Sequence, residues 1–264
     1  MVYYEIDINS NRDYCQDEIN QVKERIWMPE LEKDEQKARN MRCFIEATRK
    51  LIEEGGIGKV SIRKISEKAG LHNSTIYLYF KDVEQLILFA SLKYFTAYTR
   101  MLQNISPAAS PEETFFVVWS AFGQTVFEKG DIFYNFFFGK YSQNLTPIFR
   151  QYYELYPDEA PHYSSDIEEM YYGNNIQERC LKILHPLSGI ASVRVNDQNI
   201  ELVNEIIVSC LKELMMDKRA NPDLDPTALN EKLLRMIQYV VGYTGNLDPQ
   251  KLARISVGYE QYIQ

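Results

Sequence analysis

Apolar positions recur along this chain three and four residues apart, and strand signals are nearly absent. Residues 36–54 put Met41, Phe44, Ile45, Thr48, Leu51 and Ile52 on one stripe, and Gly55-Gly56 ends the run. Two short patterns follow within residues 61–80, SIRKISEKAGLHNSTIYLYF. In the first, Ser61 is an N-cap and Ile62, Ile65 and Ala69 form the apolar side. Gly70 suits a positive-φ stop. In the second, Ile76 and Phe80 face inward. A longer pattern over 82–103 starts at Asp82 as N-cap. Ser110-Pro111-Glu112-Glu113 reads as a capping box that opens a helix to about Lys129. Shorter helices are predicted near 131–141, 144–155 and 165–184, the last behind a second capping box, Ser165-Asp166-Ile167-Glu168. Residues 197–218 and 226–241 carry two regular apolar faces. The pattern predicts an all-α chain with a bundle-like body.

Charge divides the same pattern into three parts. The whole chain, 264 residues, carries a net −8, which argues against a general nucleic-acid coat. Residues 36–100 nevertheless hold 12 Lys/Arg against 6 Asp/Glu. Residues 1–35 hold 4 against 10, and residues 101–264 hold 13 against 21. A basic segment between acidic flanks suits a local polyanion-binding face. Residues 1–35 read as an acidic amphipathic arm, with Ile19, Val22, Ile26, Trp27 and Leu31 as a thin apolar stripe.

Several classes of chemistry are not indicated. Cys15, Cys43, Cys180 and Cys210 show no paired spacing, and His72, His162 and His185 are far apart. Neither a disulfide framework nor a metal site is expected. No secretory signal or apolar run of membrane-spanning length is visible, so a cytoplasmic location is expected. No nucleophile elbow, phosphate loop or zinc-protease motif is found, so neither catalysis nor a cofactor is expected.

The positive segment contains the most informative stretch. Two short helices joined at a glycine, behind an amphipathic helix, make a helix-turn-helix layout. The second would present Asn73, Ser74, Thr75 and Tyr79 outward, with Tyr77 near the edge. Asn can bond an adenine edge, Ser and Thr bases or phosphates, and tyrosine hydroxyls phosphate oxygens. Arg63 can fork onto a guanine or a phosphate. Lys59, Lys64 and Lys81 add positive potential.

These residues resemble the DNA-binding domain of the tetracycline-repressor (TetR) family of bacterial transcription regulators over about residues 38 to 98. The resemblance rests on Phe44, Ala47, Leu51 and Gly55, then Ser61-Ile62-Arg63-Lys64-Ile65, Ala69-Gly70-Leu71 and Ser74-Thr75-Ile76-Tyr77-Leu78-Tyr79-Phe80-Lys81. It implies that Ser61 and Tyr77 contact phosphates and that Arg63, Asn73, Ser74 and Thr75 approach base edges. Tyr79 would also lie at the DNA backbone. The family often has a phosphate-binding lysine where Val83 stands here, and Lys81 would substitute for it. It often has Lys or Arg where Asn73 stands.

The resemblance also implies the plan of the whole chain. A three-helix head over 36–100 would sit on a larger helical body over 101–264 that dimerises and holds an inducer. The helices at 197–218 and 226–241 suit a homodimer interface of four helices. Residues 115–172 hold 18 of the 34 aromatic residues, dense enough to wall a pocket for an aromatic or apolar small molecule. Trp119, Phe122, Phe137, Tyr141 and Tyr171 are the candidate lining residues. Glu128, Asp131, Glu168 and Glu169 lie nearby and would suit a cationic aromatic one. The expected function is a ligand-responsive repressor released from a palindromic operator. The rival reading is a helix-turn-helix scaffold that binds a protein partner with little specific DNA affinity, supported by the acidic flanks and Val83.

Overall fold

The computed structural model describes residues 10–103, 110–160 and 173–247, with side chains described over 33–99, 110–160 and 173–247. The fold is all-α, with no strand among the described residues. The expected capping box at Ser165–Glu168, the first part of the helix it would open, and Tyr171 lie outside the described residues.

Helix α1 runs Ser10–Gly55 without a break at residue 36, so the acidic arm and the first head helix share one helical rod about 70 Å long. Helix α2, Ile62–Ala69, is capped at both ends as the sequence predicts. Ser61 accepts from Lys64 N–H, and Gly70 sits at φ 68°. The next element, Asn73–Leu78, is a 3-10 segment rather than the expected α-helix. It is bounded by three-residue bonds, Thr75 N–H to His72 O at 3.0 Å and Tyr79 N–H to Ile76 O at 3.0 Å. Six residues rich in β-branched and locally hydrogen-bonding side chains favour α-helix weakly, and short pieces tolerate the tighter winding. Ile76 and Phe80 still reach the core beside Phe44, Ile45 and Ile65.

Helix α3, Val83–Gln103, carries the chain from head to body. Asp82 caps it, accepting from Gln85 N–H at 2.8 Å. The body then adds α4 (Pro111–Glu128), α5 (Gly130–Phe138), α6 (Thr146–Leu155), α7 (Ile176–Leu184), α8 (Ile200–Ala220) and α9 (Pro226–Val241). Helix α9 matches its expected span because its signals are strong: Asp225 accepts from Thr227 and Ala228 N–H, and Gly242 stops it at φ 69°. Helices α4 and α9 approach closely at Gly123, where an added Cβ would lie 2.1 Å from Asn230 Oδ1. Asn230 Nδ2 donates to Ser120 O across the same contact.

Candidate nucleic-acid interface and ligand cavity

The head presents a polar face built on α2 and the 3-10 segment. Arg63 is 83% exposed and pairs with Glu67 at 2.8 Å on the same face. That pair holds the guanidinium extended, and the carboxylate raises its pKa. Ser61, Asn73 and Ser74 are exposed, Thr75 is half-buried, and Tyr77 is exposed. Ser74 is held by His72, whose Nδ1 accepts from Ser74 N–H at 3.3 Å and meets its Oγ at 2.8 Å. Lys81 is exposed. Tyr79 is turned partly inward: it packs on Phe44, and its hydroxyl accepts from Asn40 Nδ2 at 2.9 Å. Its geometry braces the 3-10 segment against α1. Val83 is half-buried against the core at the start of α3, which leaves Lys81 as the exposed cation of that turn. Sequence reasoning passed over Leu78, an apolar side chain 74% exposed beside Tyr77, of a kind that can meet a thymine methyl.

Two junctions tie this head to the body. At one, Asp82 accepts from the Tyr141 hydroxyl at 2.7 Å and pairs with Lys140. Burial raises the Asp82 pKa, but the bonds from Lys140, Tyr141 and Gln85 N–H outweigh it and bring the value down to about 2. At the other, Arg49 of α1 is buried against α6. It packs 4.8 Å from the Tyr156 ring, bonds the Tyr152 hydroxyl, and pairs with Glu46 at 2.7 Å and Glu159 at 3.5 Å. Tyr156 donates to Glu46 at 3.0 Å, and Arg42 donates to Leu155 O at 2.9 Å. Burial lowers the Arg49 pKa, and the surrounding phenol and carboxylate groups more than restore it, so it stays a cation.

The other half of α6 reaches a cavity in the body. Phe149 packs on Phe95 at 5.3 Å and Phe136 at 5.6 Å, with the Arg179 guanidinium 4.8 Å from its ring. The cavity itself lies among Phe95 and Tyr98 of α3, Phe122 of α4, Phe137 of α5, and Ile176, Arg179, Cys180 and Ile183 of α7. Its volume is about 20 Å³, room for one water molecule. Burial pushes the Tyr98 hydroxyl and the Cys180 thiol up, so both stay protonated at neutral pH.

Residues 44–89 match the family model described as bacterial regulatory proteins, tetR family. The head is thus of the tetR-family DNA-binding type over those residues. No curated protein gives a match to the chain. Among solved structures, RolR in complex with resorcinol is 18% identical with a TM-score of 0.52, and the match covers 84% of this chain and 95% of that one. That likeness carries the shared fold from the TetR-type head into the body. FadR from Bacillus subtilis in complex with stearoyl-CoA is 19% identical with a TM-score of 0.44, covering 77% and 99%. A TetR-like transcriptional regulator from Rhodococcus sp. RHA1 is 16% identical with a TM-score of 0.44, covering 77% and 96%.

Within the body the expected lining residues separate. Phe122 and Phe137 line the cavity. Trp119 is buried one turn from Phe122, with ring centroids 5.7 Å apart, and stands behind the wall. Tyr141 serves the head junction instead. Of the four carboxylates that suggested a cationic ligand, Glu128 and Asp131 are exposed, with Asp131 paired to Arg219 at 2.9 Å, and Glu168 and Glu169 lie outside the described residues. Among the described residues, the charged group at the cavity wall is Arg179. The α7 wall was the main omission. Its signal was present, because Ile176, Arg179, Cys180 and Ile183 follow the helical stripe spacing with one arginine among apolar neighbours.

Proposed function

We propose that this protein is a ligand-responsive, DNA-binding transcription regulator, a homodimer that represses from a roughly palindromic operator and is released by a small-molecule inducer in the cytoplasm. The observation that carries the reading is the exposed polar face of Arg63, Asn73, Ser74, Tyr77 and Lys81 on a TetR-type head. Arg63, Asn73, Ser74 and Thr75 read base edges, and Ser61, Tyr77 and Lys81 hold the phosphate backbone.

Dimerisation is supported by the outer faces of α8 and α9. Leu202, Ile206 and Tyr239 are 59%, 39% and 89% exposed there. A second copy placed against them buries these side chains and sets two heads to reach major grooves about 34–36 Å apart. RolR was solved with resorcinol, which supports a small aromatic inducer here. Inducer binding would shift the body toward a state with differently placed heads. Helix α6 is suited to carry that shift, since it touches the cavity wall through Phe149 and the head through Tyr152 and, just past its end, Tyr156.

The test is binding to DNA from the protein's own promoter region at increasing salt. If Z phosphates are contacted, log K falls against log salt with slope about −0.9Z. A flat response, or no binding, removes the regulator reading and leaves the protein-partner scaffold.

A further inference from the structure

The 3-10 winding of Asn73–Leu78 sorts its side chains into rows. With about three residues per turn, positions three apart eclipse one another. Ser74 and Tyr77 make one row, and Thr75 and Leu78 make the next. The first row carries hydroxyls; the second carries a threonine and a leucine. Ile76 is buried and fixes the segment to the head. Leu78 is 74% exposed, so the fold gains little from an apolar side chain there. Among the described residues of the head, Leu78 and Tyr77, at 59%, are the large apolar or aromatic side chains left exposed. Their surroundings narrow what covers them. Lys59, Arg63, Lys64 and Lys81 are exposed on the same head, together with Ser61, Asn73 and Ser74. An apolar protein surface would have to desolvate these cations, whereas a polyanion is drawn to them. The DNA major groove offers one apolar group among its donors and acceptors, the 5-methyl of thymine. A leucine neither donates nor accepts, so that methyl is the base-edge feature it can distinguish. The spacing agrees. At a rise of about 2.0 Å per residue, Thr75 and Leu78 lie about 6 Å apart along the segment. Bases two steps apart on one strand lie about 6.8 Å apart.

We propose that Leu78, with Thr75 in line beside it, reads the 5-methyl groups of thymine, so that each operator half-site carries thymines two base steps apart at this row. The inference rests on the DNA-binding reading of the head and names the base chemistry that the head selects. Methyl burial involves no charge, so this preference persists at salt concentrations that weaken the phosphate contacts.

The test uses the full-length protein and a fragment of its own promoter region copied with either dTTP or dUTP. The two copies differ in the thymine methyls alone, since uracil keeps the same hydrogen-bonding edge. By fluorescence anisotropy, wild type should bind the uracil copy at least about tenfold more weakly, from roughly fourfold per buried methyl over the two half-sites of a dimer. Leu78→Ala should bind the thymine copy more weakly and keep a preference for it of under about threefold, because the two losses report one contact and do not add. Thr75→Ser keeps the hydroxyl, removes a methyl and should lower the same preference, which gives a second reading from a separate variant. Circular dichroism checks that each variant keeps its helix content. Equal wild-type affinity for the two copies, or a Leu78→Ala protein with the full preference for thymine, overturns the proposal and leaves the regulator reading standing. Binding of neither copy removes both and returns the exposed face to a protein partner.

Discussion

The hydroxyl of Tyr141, in the turn that follows the aromatic helix α5, donates to the carboxylate of Asp82, the residue that caps the first helix leaving the head, at 2.7 Å. One carboxylate thus starts α3 and fastens the head to the body, with Lys140 completing the contact. We predict that Asp82→Ala lowers stability by about 1–2 kcal/mol, the sum of a lost cap and a lost hydrogen bond. Urea denaturation of the two proteins measures it, and an unchanged midpoint would show that the junction is not formed in solution.

The same residue sets a pH dependence. Its folded pKa is depressed to about 2, so its contribution is present above the ordinary carboxylate range and lost as pH falls through the folded value. The stability gap between wild type and Asp82→Ala should be constant above about pH 5 and shrink progressively below about pH 4. A gap that widens on acidification would contradict the assignment.

Arg49 anchors the second junction. Arg49→Met takes the buried cation away from Glu46, Glu159 and the two tyrosines, and with both carboxylates partly exposed the loss should cost about 1–3 kcal/mol. Arg49→Lys should fall between the two, since it keeps charge but not the planar fork. Thermal unfolding of the three proteins checks the order.

The dimer prediction turns on Ile206 and Leu202. Ile206→Glu places a charge in the proposed interface and should yield a monomer by sedimentation equilibrium, with helix content retained. Wild type sedimenting as a monomer at micromolar concentration would remove the α8–α9 interface from the account.

At the DNA face, Arg63→Ala should weaken binding to the specific site by about 1–3 kcal/mol and relax sequence preference there. The Glu67 partner makes a useful control. Glu67→Gln frees the guanidinium from its ion pair and should hold or tighten DNA affinity, as read by fluorescence anisotropy.

The parts of this structure that were legible from sequence are those fixed by local rules. Asp225-Pro226 and Gly242 bound α9 because caps act within one turn. Ser61 and Gly70 frame α2 for the same reason. The 3-10 winding of Asn73–Leu78 was not legible, since the same side chains serve either helix and only the backbone bonds differ. Tyr141 looked like a pocket residue because ring density is a one-dimensional signal. Its role follows from Asp82, 59 residues away. Phe95 and Tyr98 fall within the helix expected over 82–103, and only the placement of α7 against α3 makes them cavity walls. Tertiary contact at long sequence separation is the element that periodicity and composition do not carry.

The most direct test of the central claim is sequencing of the DNA fragments that the purified protein retains from its own genome. The account predicts a small set of intergenic fragments sharing an inverted repeat, with half-site centres about 10 base pairs or a multiple of that apart. Uniform recovery of fragments, or recovery no greater than with an Arg63→Ala/Tyr77→Ala double variant, would contradict it.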